Sequence, residues 1–268
     1  MAHSFGHVVK DDGSEAIWVH FLGETPSSKS ADAPSEWLTF GFFLTWSPQE
    51  TSRLQAKNTT LLLFEPPSSM RESVQDLSVS KHGKWEIFLE DPYQLLVLAF
   101  DAWFRRIDKA AWEMTDRART IEQVSILPSF LVVILPFKIH VLGQKADSDS
   151  GFVQRVFAEA SALKGNQPHV PEIDLVLAHA VAKNAIYRIE GIDAVLRSLD
   201  AALACHEKSA LSARDRDVAA WEKAQTALLY RKELFHSIRL RSLSSQSRIQ
   251  NIIQLVRLLP HLTPHSES

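Results

Sequence analysis

The stretch that decides the fold lies at residues 83–123 and reads GKWEIFLEDPYQLLVLAFDAWFRRIDKAAWEMTDRARTIEQ. Asp91 and Pro92 are typical of a helix start, because the carboxylate accepts a hydrogen bond from a first-turn amide and proline has no amide to leave unpaired. Apolar residues then recur every three or four positions, which indicates one buried helix face. These residues are Leu96, Phe100, Trp103, Phe104, Ile107 and Ala111. The pattern predicts an amphipathic helix of about 30 residues, longer than most helices of globular domains.

Three segments before this helix have the composition of β-strands, since they are short and rich in aromatic and β-branched residues. They read AIWVHFL (16–22), WLTFGFFLTW (37–46) and TTLLLF (59–64), and clusters of Gly, Pro and Ser separate them. KWEIFL (84–89) is a fourth candidate strand. Strands followed by helices favour an α/β (α+β) fold in which a mixed β-sheet is flanked by helices.

From residue 151 onward the sequence indicates helices. One long helix starts near Pro171, and its apolar residues between Ala185 and Leu203 follow a coiled-coil-like spacing. No proline or glycine lies between Leu211 and Leu259, which predicts a single helix of about 45 residues, with SLSSQS (242–247) as the point where it would bend. We therefore expect a β-rich part at 1–90, a long helix and connecting segment at 91–165, and a long antiparallel helical hairpin at 166–268.

Composition excludes several classes of protein. The net charge of −3 argues against nucleic acid as a partner, because phosphate binding needs a concentrated basic surface. The single Cys205 excludes an internal disulfide and a multi-cysteine metal site. The N-terminal residues lack the basic-then-apolar order of a signal peptide, so we expect a soluble, cytoplasmic protein.

The most apolar segment is ILPSFLVVILPFKIHVL, residues 126–142. It is shorter than the roughly 20 apolar residues that a membrane-spanning helix needs, and Pro128 and Pro136 would interrupt it. We therefore predict a buried β-strand or an extended packed segment here, and no membrane span in this chain.

Three further segments carry a resemblance to a known family. They read DPYQLLVLAFDAWFRRIDKAAWEM (91–114), LAHAVAKNAIYRIEGIDAVLRSLDAAL (177–203) and LFHSIRLRSLSSQSRIQNIIQLV (234–256). In this order they resemble fungal CorA-like proteins, relatives of the CorA magnesium transporters, with Asp101, Phe104, Asp108 and Trp112 on the family pattern. The resemblance implies a cytoplasmic α/β/α domain that feeds a long stalk helix, a pentamer and an ion pore.

The sequence departs from that family where the pore would follow. After Leu259 it reads PHLTPHSES, and none of its methionines, Met1, Met70 and Met114, stands in a Gly-Met-Asn motif. We therefore expect either the cytoplasmic part of a transporter, membrane-associated only within a longer chain, or a pore-less homologue.

Three functions remain open at this point. The first is a domain that senses or regulates a divalent cation, with Mg²⁺ as the cofactor, because Mg²⁺ takes oxygen ligands. The candidate ligands are Asp91, Asp101 and Asp108, with Asp116 and Glu122 as further acids of the same helix. The second is a protein-interaction module built around the helical hairpin, with no ion role. For the chain's association we expect a monomer or a small homo-oligomer joined through an exposed apolar seam of the arm 244–259. That seam consists of Ile249, Ile253 and Val256.

The third is a small-molecule enzyme, although the sequence contains no glycine-rich phosphate loop, serine-hydrolase motif or zinc-protease motif. No catalytic residue is assigned. A cavity near Trp103, Phe104 and Trp112 would bind an apolar molecule by shape, as a cyclase or isomerase does. The last long helix is also rich in arginine, which is typical either of a solvated face or of a contact with an anionic surface.

Overall fold

The structure, a computed structural model, describes residues 4–25, 36–48, 56–79, 88, 90–143, 175–212 and 218–262. These residues form four strands and four helices, and the predicted α+β class is confirmed. The strands are β1 (Ser4–Val9), β2 (Glu15–Thr25), β3 (Glu36–Pro48) and β4 (Ala56–Phe64). The helices are α1 (Ser68–Val79), α2 (Tyr93–Gly143), α3 (Leu175–Ser212) and α4 (Val218–Leu262).

The four strands form one sheet in the order β1-β2-β3-β4. Each described strand pairs antiparallel with its neighbour, in place of the mixed sheet that we expected. The three strand segments predicted before residue 65 are present as β2, β3 and β4. The predicted strand at 84–89 lies outside the described residues except for Phe88, whose backbone is helical.

One face of this sheet forms the core against α2. Phe21 of β2 is fully buried, and its ring centroid lies 5.3 Å from that of Trp103 and 5.4 Å from that of Phe100. Alternate residues of β2 and β3 point the other way, and Trp18 remains 39% exposed. This alternation is what an antiparallel sheet with one covered face requires.

Helix α2 begins where the sequence predicts and continues much further. The backbone amide of Tyr93 donates to Asp91 Oδ1 at 2.9 Å, so Asp91 caps the helix. The helix then runs for 51 residues, through Pro128 and Pro136. The predicted strand or extended segment at 126–142 is therefore wrong. Each proline removes one backbone donor and its ring crowds the carbonyl four residues earlier, and the helix continues through both positions in spite of this cost.

Helices α3 and α4 form the predicted antiparallel hairpin. Asp193, Asp200 and His206 ascend along α3, while their partners Arg239, Lys232 and Gln225 descend along α4. Helix α4 has 45 residues and is helical through 242–247, where the sequence indicated a bend. Among the described residues, no helix has both the length and the apolar character needed to cross a membrane.

The chain divides into two compact units. The first combines Met1–Thr115 with Lys183–Ser244, and the second combines Asp116–Ala182 with Ser245–Ser268. Ile249 and Ile253, predicted as parts of an exposed seam, belong to the second unit and are buried. They therefore do not form the exposed surface on which the predicted homo-oligomer rests. The candidate functional site lies in the first unit.

Candidate functional site

The three acids predicted to bind Mg²⁺ are held apart, and each has a basic partner. Asp91 Oδ2 lies 2.8 Å from His206 Nε2. Both oxygens of Asp101 accept hydrogen bonds from Arg231 at 2.7 Å, and Asp108 accepts one from Arg241 at 2.8 Å.

These acids are also spread along α2. At 1.5 Å of rise per residue, Asp91 and Asp101 are about 15 Å apart, and Asp101 and Asp108 about 10 Å apart. The further candidates are paired as well, Asp116 with Arg119 and Glu122 with Arg248. In the part of the chain that the structure describes, no group of three or more His, Cys, Asp and Glu side chains is arranged to hold a metal ion. The structure therefore does not bring the predicted ligands together.

The same contacts account for much of the positive charge on α4. Arg231 and Arg241 pair with acids of α2, while Lys232 and Arg239 pair with acids of α3. The side chains of the Arg231 pair are 19% and 26% exposed, so the contact is only partly solvated. The positive charges of these arginines and this lysine are thus balanced by carboxylates of the same chain. The sequence alone left open a contact of these charges with an anionic surface.

The three aromatic residues predicted to line a ligand cavity occupy different environments. Trp103 is buried in the core, and Phe104 packs edge-on against Phe235 with ring centroids 5.7 Å apart. Trp112 is 49% exposed and stacks under the guanidinium of Arg241 at 4.1 Å. The cavity beside Trp103 measures about 10 Å³, which leaves room for no more than one water molecule. The three side chains do not line one ligand-sized cavity.

A buried polar network, which the sequence did not reveal, joins the start of α2 to the helical hairpin. His206 is fully buried, and its Nδ1 lies 2.7 Å from Gln225 Oε1. Gln225 Nε2 donates to Glu207, so its oxygen is the atom that faces the imidazole. Both ring nitrogens therefore face oxygen atoms, those of Gln225 and Asp91. His206 of α3 therefore links the start of α2 to α4.

A different feature of the first unit is open to solvent and large enough for a ligand. It is a cleft of about 640 Å³ between β3, the β4–α1 connection, α1 and α2. We call it the arginine cleft and define it by the polar and aromatic side chains that line it. They are Trp37, Thr39, Glu65, Arg71, Arg105 and Arg106.

The arginine cleft exists because β4 is shorter than β3 at this end of the sheet. Phe64, the last residue of β4, pairs with Gly41, while β3 continues to Glu36 in register with β2. The described part of the chain supplies no further strand along that edge. The chain leaves the sheet at Glu65, whose φ of 52° is uncommon for a residue with a side chain. It then passes Pro66 and Pro67 into α1.

The charges of the arginine cleft are unbalanced, with three arginines against one glutamate. Arg105 is exposed and Arg106 is partly buried, and burial lowers the pKa of the Arg106 guanidinium below its ordinary value. Among the described residues neither has an ion-pair partner. Arg71 Nε donates to the carbonyl of Pro66 at 3.2 Å, which fixes its direction. Glu65 accepts a hydrogen bond from the hydroxyl of Thr39.

Little in the sequence indicates this site, because Arg71 is distant in the chain from Arg105 and Arg106. The available signal was Arg106, which lies off the apolar face of α2 and has Trp103 and Ala102, not acids, three and four residues before it. Three guanidinium groups around an open cavity can bind an oxyanion, since each can donate two parallel hydrogen bonds. Comparison of the chain with protein-family models and with curated proteins finds no match.

Proposed function

We propose that this protein is a binding module for a small molecule that carries a phosphate or another oxyanion, and that the arginine cleft is its binding site. The observation that carries the proposal is Arg106. Arg106 is partly buried, and this burial lowers the pKa of its guanidinium, yet it has no acidic partner among the described residues. Charge taken out of water without a partner costs free energy, and a bound oxyanion would offset that cost.

The neighbouring groups suit the same ligand. Arg105 is adjacent in sequence, and Arg71 projects from the first turns of α1 on another side of the cleft. Ser68 and Ser69, at the N-terminus of this 12-residue helix, line the cleft too, where the helix dipole favours negative charge. The volume of about 640 Å³ falls within the range of about 300–1,000 Å³ that is usual for small-molecule sites.

Other arginines of the same unit differ from Arg106 because they already have carboxylate partners. Arg231, Arg239 and Arg241 each contact a carboxylate of a neighbouring helix, so their charge is already used in the fold. The cation-sensing function that the CorA resemblance implies stays a hypothesis, since the acids that it names are engaged in ion pairs. The sequence predicts a divalent cation or a small molecule as the partner, and the proposed ligand belongs to the second class.

Calorimetric titration with inorganic pyrophosphate tests the proposal, with Arg106→Gln as the variant and Arg119→Gln as the matched control. Arg119 is an exposed arginine of α2 outside the cleft, and it pairs with Asp116 three residues away. We expect millimolar or tighter binding to the wild type. A hydrogen bond to a charged group contributes about 1.5–3 kcal/mol, so Arg106→Gln should weaken binding about tenfold or more.

The control should bind pyrophosphate like the wild type, and both variants should retain the far-UV circular dichroism of the wild type. Raising the salt concentration should weaken binding, because the attraction is between exposed charges. Absence of binding at millimolar pyrophosphate, or equal affinities for the wild type and Arg106→Gln, would overturn the proposal.

A further inference from the structure

One wall of the arginine cleft carries a large exposed aromatic residue, Trp37. It is 49% exposed, whereas Trp103 and Trp46 of the same unit are 1% and 9% exposed. Trp37 lies on the end of β3 that extends beyond β4. Its ring centroid is 6.0 Å from that of Tyr187 on α3, at an interplanar angle of 42°. The contact with Tyr187 holds the indole in place, while about half of the residue stays accessible to a ligand.

The polar groups beside Trp37 differ from those on the opposite wall. Thr39 follows Trp37 by two residues, so both side chains point to the same face of the strand. The Thr39 hydroxyl is bonded to the carboxylate of Glu65. This end of the cleft therefore combines an aromatic ring with an anionic acceptor, whereas Arg105 and Arg106 on α2 make the other wall cationic.

This asymmetry selects among oxyanion ligands. A ligand with negative charge over its whole length would place some of that charge against the carboxylate of Glu65, which would repel it. An oxyanion as small as free phosphate would leave most of the cavity filled by water. A ligand with one anionic end and one planar ring bearing N–H donors matches both walls, because the ring stacks on an indole and its N–H groups face a carboxylate.

Resting on the proposed oxyanion-binding function, we infer that the ligand of the arginine cleft joins an oxyanion to a planar heteroaromatic ring, as a nucleoside monophosphate does. The arginines hold the oxyanion and the ring stacks on Trp37. Glu65 accepts a hydrogen bond from the ring. Trp37 is then the residue that separates such ligands from simple phosphate esters.

Calorimetric titrations with adenosine monophosphate and with ribose 5-phosphate test this inference, since the two probes share the phosphate and the sugar. Stacking of a base on an aromatic side chain strengthens binding. We therefore expect adenosine monophosphate to bind the wild type about tenfold more tightly than ribose 5-phosphate does, a difference of about 1.4 kcal/mol. Trp37→Leu should remove most of this difference and leave the affinity for ribose 5-phosphate unchanged. Trp18→Leu is the matched control, since Trp18 is a partly exposed strand residue outside the cleft.

The outcomes separate the two proposals. Equal affinities of the two probes for the wild type, with both weakened by Arg106→Gln, would overturn the aromatic ligand and keep the oxyanion site. A preference for adenosine monophosphate that survives in Trp37→Leu would also overturn it. If neither probe nor pyrophosphate binds, the oxyanion site itself fails.

Discussion

Replacing Asp91 by alanine should destabilise the protein more than a change at most other acidic positions. Asp91 is 4% exposed and uses both of its carboxylate oxygens. Oδ1 accepts the amide of Tyr93 at 2.9 Å, and Oδ2 faces His206 Nε2 at 2.8 Å. The alanine variant would lose the helix cap and would leave the fully buried His206 without its carboxylate partner.

The expected magnitude follows from these two contacts. A hydrogen bond to a charged group contributes about 1.5–3 kcal/mol, and the alanine variant would lose the one between Asp91 and His206. Loss of an N-terminal cap costs about 1 kcal/mol. Asp91→Ala should therefore lower the free energy of unfolding by about 2.5–4 kcal/mol. Asp91→Asn should cost about 1 kcal/mol less than this, since the amide oxygen of asparagine still caps the helix.

Urea denaturation followed by far-UV circular dichroism measures these changes at neutral pH. Asp116→Ala is the control, because the pair between Asp116 and Arg119 is exposed, and such pairs contribute less than about 1 kcal/mol. A loss below about 1 kcal/mol for Asp91→Ala would refute the reasoning, since it would fall in the range of an exposed ion pair.

Three further predictions concern the first unit. Burial raises the pKa of the Tyr93 phenol, so its contribution to stability is full below about pH 10, the unfolded value, and is lost as the pH rises further. Tyr93→Phe should therefore flatten the decline of the unfolding free energy above about pH 10, measured by urea denaturation at several pH values. Gly23→Ala should destabilise by about 1–3 kcal/mol in thermal or urea unfolding, because its methyl group would lie 3.0 Å from two buried side chains of α2. A double-mutant cycle of Asp101→Ala and Arg231→Ala should give a coupling energy of about 1 kcal/mol or more, and additive losses would contradict the ion pair.

The parts of the fold that the sequence predicted are those with strong local signals. The alternation in β2 and β3 and the Asp91–Pro92 helix start identify their elements without knowledge of distant residues. Strand β1 was missed because its six residues, SFGHVV, show little alternation and depend on pairing with β2. Helix α1 was missed because it follows Pro66 and Pro67, which we interpreted as part of a separator between strands.

The site was less predictable, because its chemistry depends on residues that are distant in the chain. Asp91, Asp101 and Asp108 look like free oxygen ligands in the sequence. Their partners lie 115, 130 and 133 residues further on, so no local pattern reveals that the acids are already paired. The arginine cleft was hidden for the same reason. It forms only where the end of β4 leaves room between α1 and α2.

The ion pairs between α4 and its neighbours have a consequence for the alignment of the helices along their axes. Leu228 and Phe235 of α4 are both fully buried and stand seven residues apart, so a slide of one heptad would put one of these apolar side chains in the place of the other. The ion pair of α4 with Asp101 of α2 does not share this repeat, although Lys232 and Arg239, which pair with Asp200 and Asp193 of α3, are themselves seven residues apart. After such a slide, the place of Arg231 opposite Asp101 would be taken by Ile238 or by Ala224, depending on the direction. The carboxylate would then face a hydrocarbon group, and Arg231 would enter the buried place of Ala224 or of Ile238, so the ion pair and the apolar core favour the same register.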